Sequence, residues 1–213
     1  MKKIVNAAIL LVTAAGICVA QTWEFGAVGG GSFLPGVPVS GPAGSATAGF
    51  QPGFTAGAFI GQNLYKHLSG EIRYEFTQNG LKLSSGGSSA TFSAQEHAVH
   101  YDVLWHTAKK ESPVQFFAAA GVGMKVFRGT GTEAAYQPLS QFGYFTRTQA
   151  VKPMASVGGG LKYQIGQRMY VRAEIRDFIT PFPTQLITPA PGNKFGSLLH
   201  DIVPMVGIEY MMQ

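Results

Sequence analysis

"MYVRAEIRDF", Met169 to Phe178, contains two sets of residues that do not mix for eight positions. Met169, Val171, Ala173 and Ile175 are apolar, whereas Tyr170, Arg172, Glu174 and Arg176 are polar or charged, a set that Arg168 extends backwards. A period of two is that of a β-strand with unlike faces. In a soluble protein the charged face looks at water and the apolar face at a core. The composition argues for the reverse arrangement. Charged residues make up only 13% of the chain, about half of the ~25% usual in globular proteins.

With 213 residues the chain can form one sizeable β domain. Residues 1–20 read as a cleaved signal peptide: Lys2 and Lys3, the apolar run to Val19, and small residues at Cys18 and Ala20 before Gln21. Residues 21–213 are the mature domain. Ile17 before Cys18 argues against lipoprotein attachment, and the loss of Cys18 leaves a mature chain without disulfides, thiol catalysis or thiolate metal sites. Losing Lys2 and Lys3 lowers the formal charge from +5 to +3, too little to argue for nucleic acid. No later apolar run is long enough for a membrane helix.

The alternation of the opening stretch recurs, and eight strands are predicted: Thr22–Phe33, Ala48–Gly61, His67–Thr77, Glu96–Thr107, Val114–Phe127, Val151–Gln164, Arg168–Ile179 and His200–Met212. Between them the connections alternate in length. Leu34–Thr47, Gln78–Gln95, Arg128–Ala150 and Thr180–Leu199 are long and rich in Gly, Pro, Ser and Thr; the other three are short. An up-and-down meander puts the long loops at one end, and the short turns and termini at the other. The fold class is therefore all-β, an eight-stranded antiparallel up-and-down transmembrane β-barrel.

Three features favour a membrane barrel over a soluble one. Gly121, Gly123, Gly158 and Gly160 crowd the polar face, where they leave room for long side chains in a narrow lumen. Aromatics gather at two depths on the apolar face, as interfacial girdles do: Trp23, Trp105, Phe116, Tyr163 and Tyr210 at the short-turn end, and Phe33, Phe50, Tyr74 and Phe76 at the other. Charges on the polar face nearly balance. Glu24, Glu71, Glu75, Glu96, Asp102, Glu174, Asp201 and Glu209 share it with Arg73, Lys125, Lys152, Lys162, Arg172 and Arg176.

Together with "FAAAGVGMKVF" (Phe117 to Phe127) and "VGGGLKYQIGQRMYVRAEIRDF" (Val157 to Phe178), this pattern resembles the small outer-membrane β-barrel proteins of the OmpA-like superfamily. The resemblance covers the barrel alone, without a peptidoglycan-binding domain. It implies a monomer in the cell outer membrane, with outer-membrane lipids and lipopolysaccharide around it and the barrel assembly machinery as its partner in biogenesis. Family members end in an aromatic residue, whereas this chain ends "EYMMQ", with Tyr210 and Met212 keeping outward parity.

The expected functional feature is a lumen charge network. Glu71, Arg73 and Glu75 on the third strand face Arg172, Glu174 and Arg176 on the seventh across the lumen, and act as a plug that holds the barrel shut. His100 and Asp102 join that plug, and no metal, cofactor or catalytic residue is assigned to it or to His106. "HLSGE", His67 to Glu71, has the residue types of a lipid A deacylase, but at the periplasmic end and without an oxyanion hole. The role expected is structural or surface-interactive through the long loops, where Lys82, Arg128, Arg147 and Lys194 stand against the single acid Glu133 and can pair with lipopolysaccharide phosphates. Two alternatives carry their own expectations. A lipid-modifying enzyme needs a His, a Ser and an acid converging at the outer end, and an exported lipocalin-like carrier needs an apolar inside.

Overall fold

In the computed structural model, which describes residues 22–42, 44–108 and 112–212, eight long antiparallel strands close into a barrel. These are β1 (Trp23–Ser32), β3 (Gly44–Asn63), β4 (Leu68–Ser85), β5 (Ser88–His106), β6 (Val114–Gly129), β8 (Gln149–Gln164), β9 (Met169–Pro181) and β12 (Leu198–Met212). Short strands β2 (Val37–Gly41), β7 (Gly143–Phe145), β10 (Ile187–Pro189) and β11 (Lys194–Phe195) decorate the long-loop end. Closure is explicit, because β1 pairs with β3 on one side and β12 on the other. The signal-peptide residues and Gln213 lie outside the described residues.

Strand stagger follows from tracing cross-strand partners once round the wall. Trp23 leads to Gln62, Gly70, Val103, Ala120, Val157, Asp177, Ile202 and finally Phe33, one residue past the end of β1 and ten residues higher. At ~3.3 Å per residue and a tilt near ~40°, those ten residues span roughly 25 Å along the barrel axis. That is the height of the apolar band of an outer-membrane barrel. Trp23 and Phe33 therefore mark its lower and upper edges.

Seen from outside, the wall between those edges is apolar. Ile72, Val99, Val122, Ile175, Val206 and Ile208 are among its exposed side chains. Trp105, Phe116, Tyr163 and Tyr210 are exposed within a few residues of the short-turn ends of their strands, with half-buried Trp23 in the same zone. Phe33 and Tyr74 are exposed near the upper edge, beside half-buried Phe76.

Phe50 corrects the sequence reading. It points inward, 4% exposed, and packs 5.4 Å from the Phe127 ring. The reason is a bulge: β3 pairs Gln51 with Gly80 but Phe54 with Gln78, so one extra residue shifts its parity. Below the bulge even-numbered residues face out; above it Ala46, Ala48 and Phe50 face in. Phe54, 61% exposed, stands on the outward face where Phe50 was expected.

The predicted loop Gln78–Gln95 is also corrected. It is an uninterrupted continuation of β4 and β5 beyond the band, closed by a two-residue turn. Gly86 and Gly87 have φ of 56° and 83°, the left-handed pair of a type I′ hairpin that glycine supplies without strain. Gly87→Ala is expected to cost about 1 kcal/mol and to speed amide exchange at this tip while leaving the lower barrel unchanged; unaltered exchange there would contradict the turn assignment.

Along β4 and β5 the two faces exchange polarity with height. Inward residues run Glu71, Arg73, Glu75, Thr77 and then Leu81, Leu83; outward residues run Ile72, Tyr74, Phe76 and then Gln78, Lys82, Ser84. β5 mirrors this, with inward Asp102, His100 and Glu96 giving way to Ala94, Phe92 and Ala90. Above the membrane the wall thus has the ordinary soluble arrangement. Its apolar core gathers Leu34, Val39, Leu81, Leu83, Phe92, Phe127, Phe145, Leu186 and Leu199, roofed by the β7–β10 pair.

Candidate functional site: the lumen charge column

Within the membrane band the lumen holds three groups of charge. The middle group joins opposite walls. Arg73 Nη1 reaches Glu174 Oε1 at 2.5 Å, and Arg172 Nη1 reaches Glu71 Oε2 at 2.7 Å. Within single strands, Arg73 also binds Glu71 (2.6 Å) and Glu75 (3.1 Å), while Arg172 and Arg176 both bind Glu174 (2.9 and 3.1 Å). Arg176 Nη1 lies 3.0 Å from Asp102, which is in turn 3.1 Å from His100 Nδ1. All eight residues predicted for the network are buried.

Two further groups flank it. Towards the short turns Lys162 Nζ binds Glu24 (2.9 Å) and Glu209 (2.7 Å), and Asn63 donates to Glu24. Arg172 touches Glu209 at 3.4 Å and so ties this group to the middle one. Towards the long loops Lys125 binds Glu96 and Asp201, with Asn79 and Ser32 donating to those carboxylates. The parity of these side chains was legible in the sequence, but their grouping was not, because it depends on the stagger of all eight strands.

Aromatic rings fit the column to the wall. Arg172 is held between Phe59 and Phe117, with centroids 4.7 and 4.5 Å from the guanidinium carbon, and Arg73 lies 5.1 Å from Phe59. Glycines make room on β8: a Cβ on Gly158 would come within 2.6 Å of Arg176 Cδ, and one on Gly160 within 2.8 Å of Glu174 Cβ. The near-balance of charge needs correction. Lys152 is only half-buried and makes no ion pair among the described residues, so eight buried carboxylates face five buried Lys and Arg cations.

The remaining predicted residues are distributed. His106 leaves His100 and Asp102 and lies near the short-turn end, its Nε2 2.8 Å from Ser69 Oγ. His67 Nδ1 meets the His106 carbonyl at 2.9 Å, while Glu71 is held by Arg73 and Arg172. The His, Ser and Glu of "HLSGE" therefore do not converge. His200 faces outward and binds Asp177 at 2.8 Å, whereas its neighbour Asp201 points into the lumen. No cluster of three metal-ligating side chains occurs among the described residues.

An apolar exterior about one bilayer tall, a charged lumen and eight closed strands define a small integral outer-membrane β-barrel. A solved structure agrees on the fold. The chain is similar to Neisserial surface protein A, with a TM-score of 0.52 and 11% identity over 89% of this chain and 96% of that one. Weaker likenesses are to the N-terminal β-barrel domain of Pseudomonas aeruginosa OprF (TM-score 0.45, 12% identity, 90% and 97% covered) and to Ail, the attachment invasion locus protein of Yersinia pestis (0.47, 9%, 89% and 99%). No protein-family model matches the sequence, and no curated protein matches it.

Proposed function

We propose that this protein is a closed, non-enzymatic barrel of the outer membrane, anchored by its lower two-thirds and acting through the strands and loops above the bilayer. One observation carries this: the lumen is filled. Arg73, Arg172, Arg176 and Lys162 are at most 2% exposed, and the apolar core of the outer tier lies over them. Eight strands enclose only enough space for side chains, and here those side chains are ion-paired from wall to wall.

The reading implies a monomer, delivered by the barrel assembly machinery, whose partners are the lipids and lipopolysaccharide around it and a ligand met by the outer tier. The Ser69–His106 contact does not favour a lipid-modifying enzyme, since both residues are buried at the short-turn end. The apolar interior expected of a lipocalin-like carrier is not continuous: the largest buried apolar cluster lies in the outer tier, and the smaller ones around Phe59 and Phe178 and around Leu104 and Phe117 pack among the lumen charges. The test is electrical. Inserted in a planar bilayer at moderate voltage, the purified barrel should carry no sustained current. A steady open-channel conductance from wild-type protein would replace the plug with a pore.

A further inference from the structure

Four outward side chains form one cross-strand row that starts at the upper edge of the apolar band and climbs with the strand stagger by roughly 9 Å from β4 to β8. Gln78 on β4 is the partner of Gln95 on β5, Gln95 of Arg128 on β6, and Arg128 of Gln149 on β8. Gln78, Arg128 and Gln149 are exposed and Gln95 is half-buried. One outward step below the row stand Phe76, His97, Val126 and Val151, so Gln78 lies where headgroups begin and Arg128 and Gln149 stand higher among them.

The chemistry of the row is that of a donor array. The Arg128 side chain makes no hydrogen bond or ion pair among the described residues, which leaves its fork of N–H groups free. Gln95 Nε2 donates to Gln78 Oε1 at 3.0 Å, and Gln78 Nε2 to the Ala94 carbonyl at 3.1 Å. This fixes both amides and leaves each one further N–H, since a carboxamide carries two. No carboxylate faces outward in the row: Glu96 beside Gln95 points into the lumen, and Glu133 accepts the Arg147 backbone N–H. A guanidinium flanked by oriented amides, with no acid to compete, suits a phosphate group.

We infer that the Gln78–Gln95–Arg128–Gln149 row is a seat for the phosphate monoester of an outer-leaflet glycolipid. This rests on the membrane-barrel reading and adds to it a position and a lipid chemistry. Arg128 supplies the bidentate charge, and the amides close round the remaining phosphate oxygens. The acyl chains of such a lipid would run down the wall below, past Val126 and Val151. A soluble phosphate would offer the same headgroup chemistry but nothing for that wall.

The experiment is native mass spectrometry of the detergent-solubilised barrel with bisphosphoryl lipid A, with the same lipid stripped of both phosphates, and with inorganic phosphate as competitor. Wild type is expected to retain the phosphorylated lipid about tenfold more tightly than the stripped one. Arg128→Gln should erase that preference, Arg128→Lys should keep part of it, and millimolar inorganic phosphate should not displace the lipid. Equal retention of the two lipids by wild type, or an undiminished preference in Arg128→Gln, overturns the inference. Displacement by inorganic phosphate would assign the seat to a soluble anion and overturn the lipid. Gel mobility of the same samples, unboiled and boiled, keeps the two readings apart. A heat-shifting barrel without phosphate preference fails the seat alone, whereas wild type without any heat shift fails the barrel itself.

Discussion

Arg172→Met is expected to lower the unfolding free energy of the barrel in lipid vesicles by about 3–5 kcal/mol, the cost of breaking a buried ion pair from one side. Arg172 meets Glu71, Glu174 and Glu209 and is stacked between two phenylalanine rings. Methionine fills much of the volume but leaves those carboxylates short of a cation inside a sealed lumen. Arg172→Lys should lose less, because it keeps the charge and gives up the fork and the stacking. Urea titration followed by tryptophan fluorescence reads both variants. A loss below about 1 kcal/mol for the methionine variant would reduce the column to the value of a surface ion pair.

The second large effect concerns the outer wall. Ile72 is 60% exposed, two residues above Gly70 on the path round the barrel, and so near the middle of the band. Ile72→Arg is expected to destabilise the barrel by about 2–4 kcal/mol, as a cation on the lipid face at mid-depth does. On the same face of the same strand, ten residues further on, Lys82 is native and exposed. Thr91→Arg, at the cross-strand partner of Lys82, should therefore change stability by no more than about 0.5 kcal/mol. If water and not lipid bathed the lower wall, both arginines would be tolerated alike. Equal, small effects in vesicles would sink the membrane assignment.

Face periodicity carried most of the architecture into the sequence. Strand number, antiparallel order, the end at which long connections gather and the inward set from Glu24 to Glu209 all follow from a period of two and the spacing of turns. Two local features escaped that reasoning. The extra residue between Gln51 and Phe54 changes the parity of β3, and its signal, Pro52-Gly53 inside the predicted strand Ala48–Gly61, went unread because alternation alone was followed. The second is the polarity exchange at Gln78, where a strand read as charged-in and apolar-out is taken to stop because Leu81 and Leu83 fall on the charged parity. The strand continues; its surroundings change from lipid to water.

The ion pairs were legible in part. Residues two apart on one strand share a face, so Arg73 with Glu71 and Glu75, and Arg172 with Glu174, follow from local geometry. That Arg73 meets Glu174 while Lys125 meets Asp201 depends on heights, which are fixed only when every register round the ring is known. Lys152 shows the limit of parity alone. It has inward parity, opposite Lys125, yet it is half-buried and outside the network, as expected for like charges placed directly across from one another.

The exchange of polarity at Gln78 also makes the protein its own depth gauge. A rise of one outward pair along β4 would lift Phe76 and its neighbours into water, and an equal descent would draw Gln78 and Gln95 into hydrocarbon. Either displacement carries a cost on several strands at once, so the barrel is pinned at one level. A belt of roughly 25 Å matches a membrane thinner than the typical core of about 30 Å. A thicker bilayer would have to thin against the wall, and each molecule would then carry a collar of compressed membrane that neighbouring proteins of similar height can share.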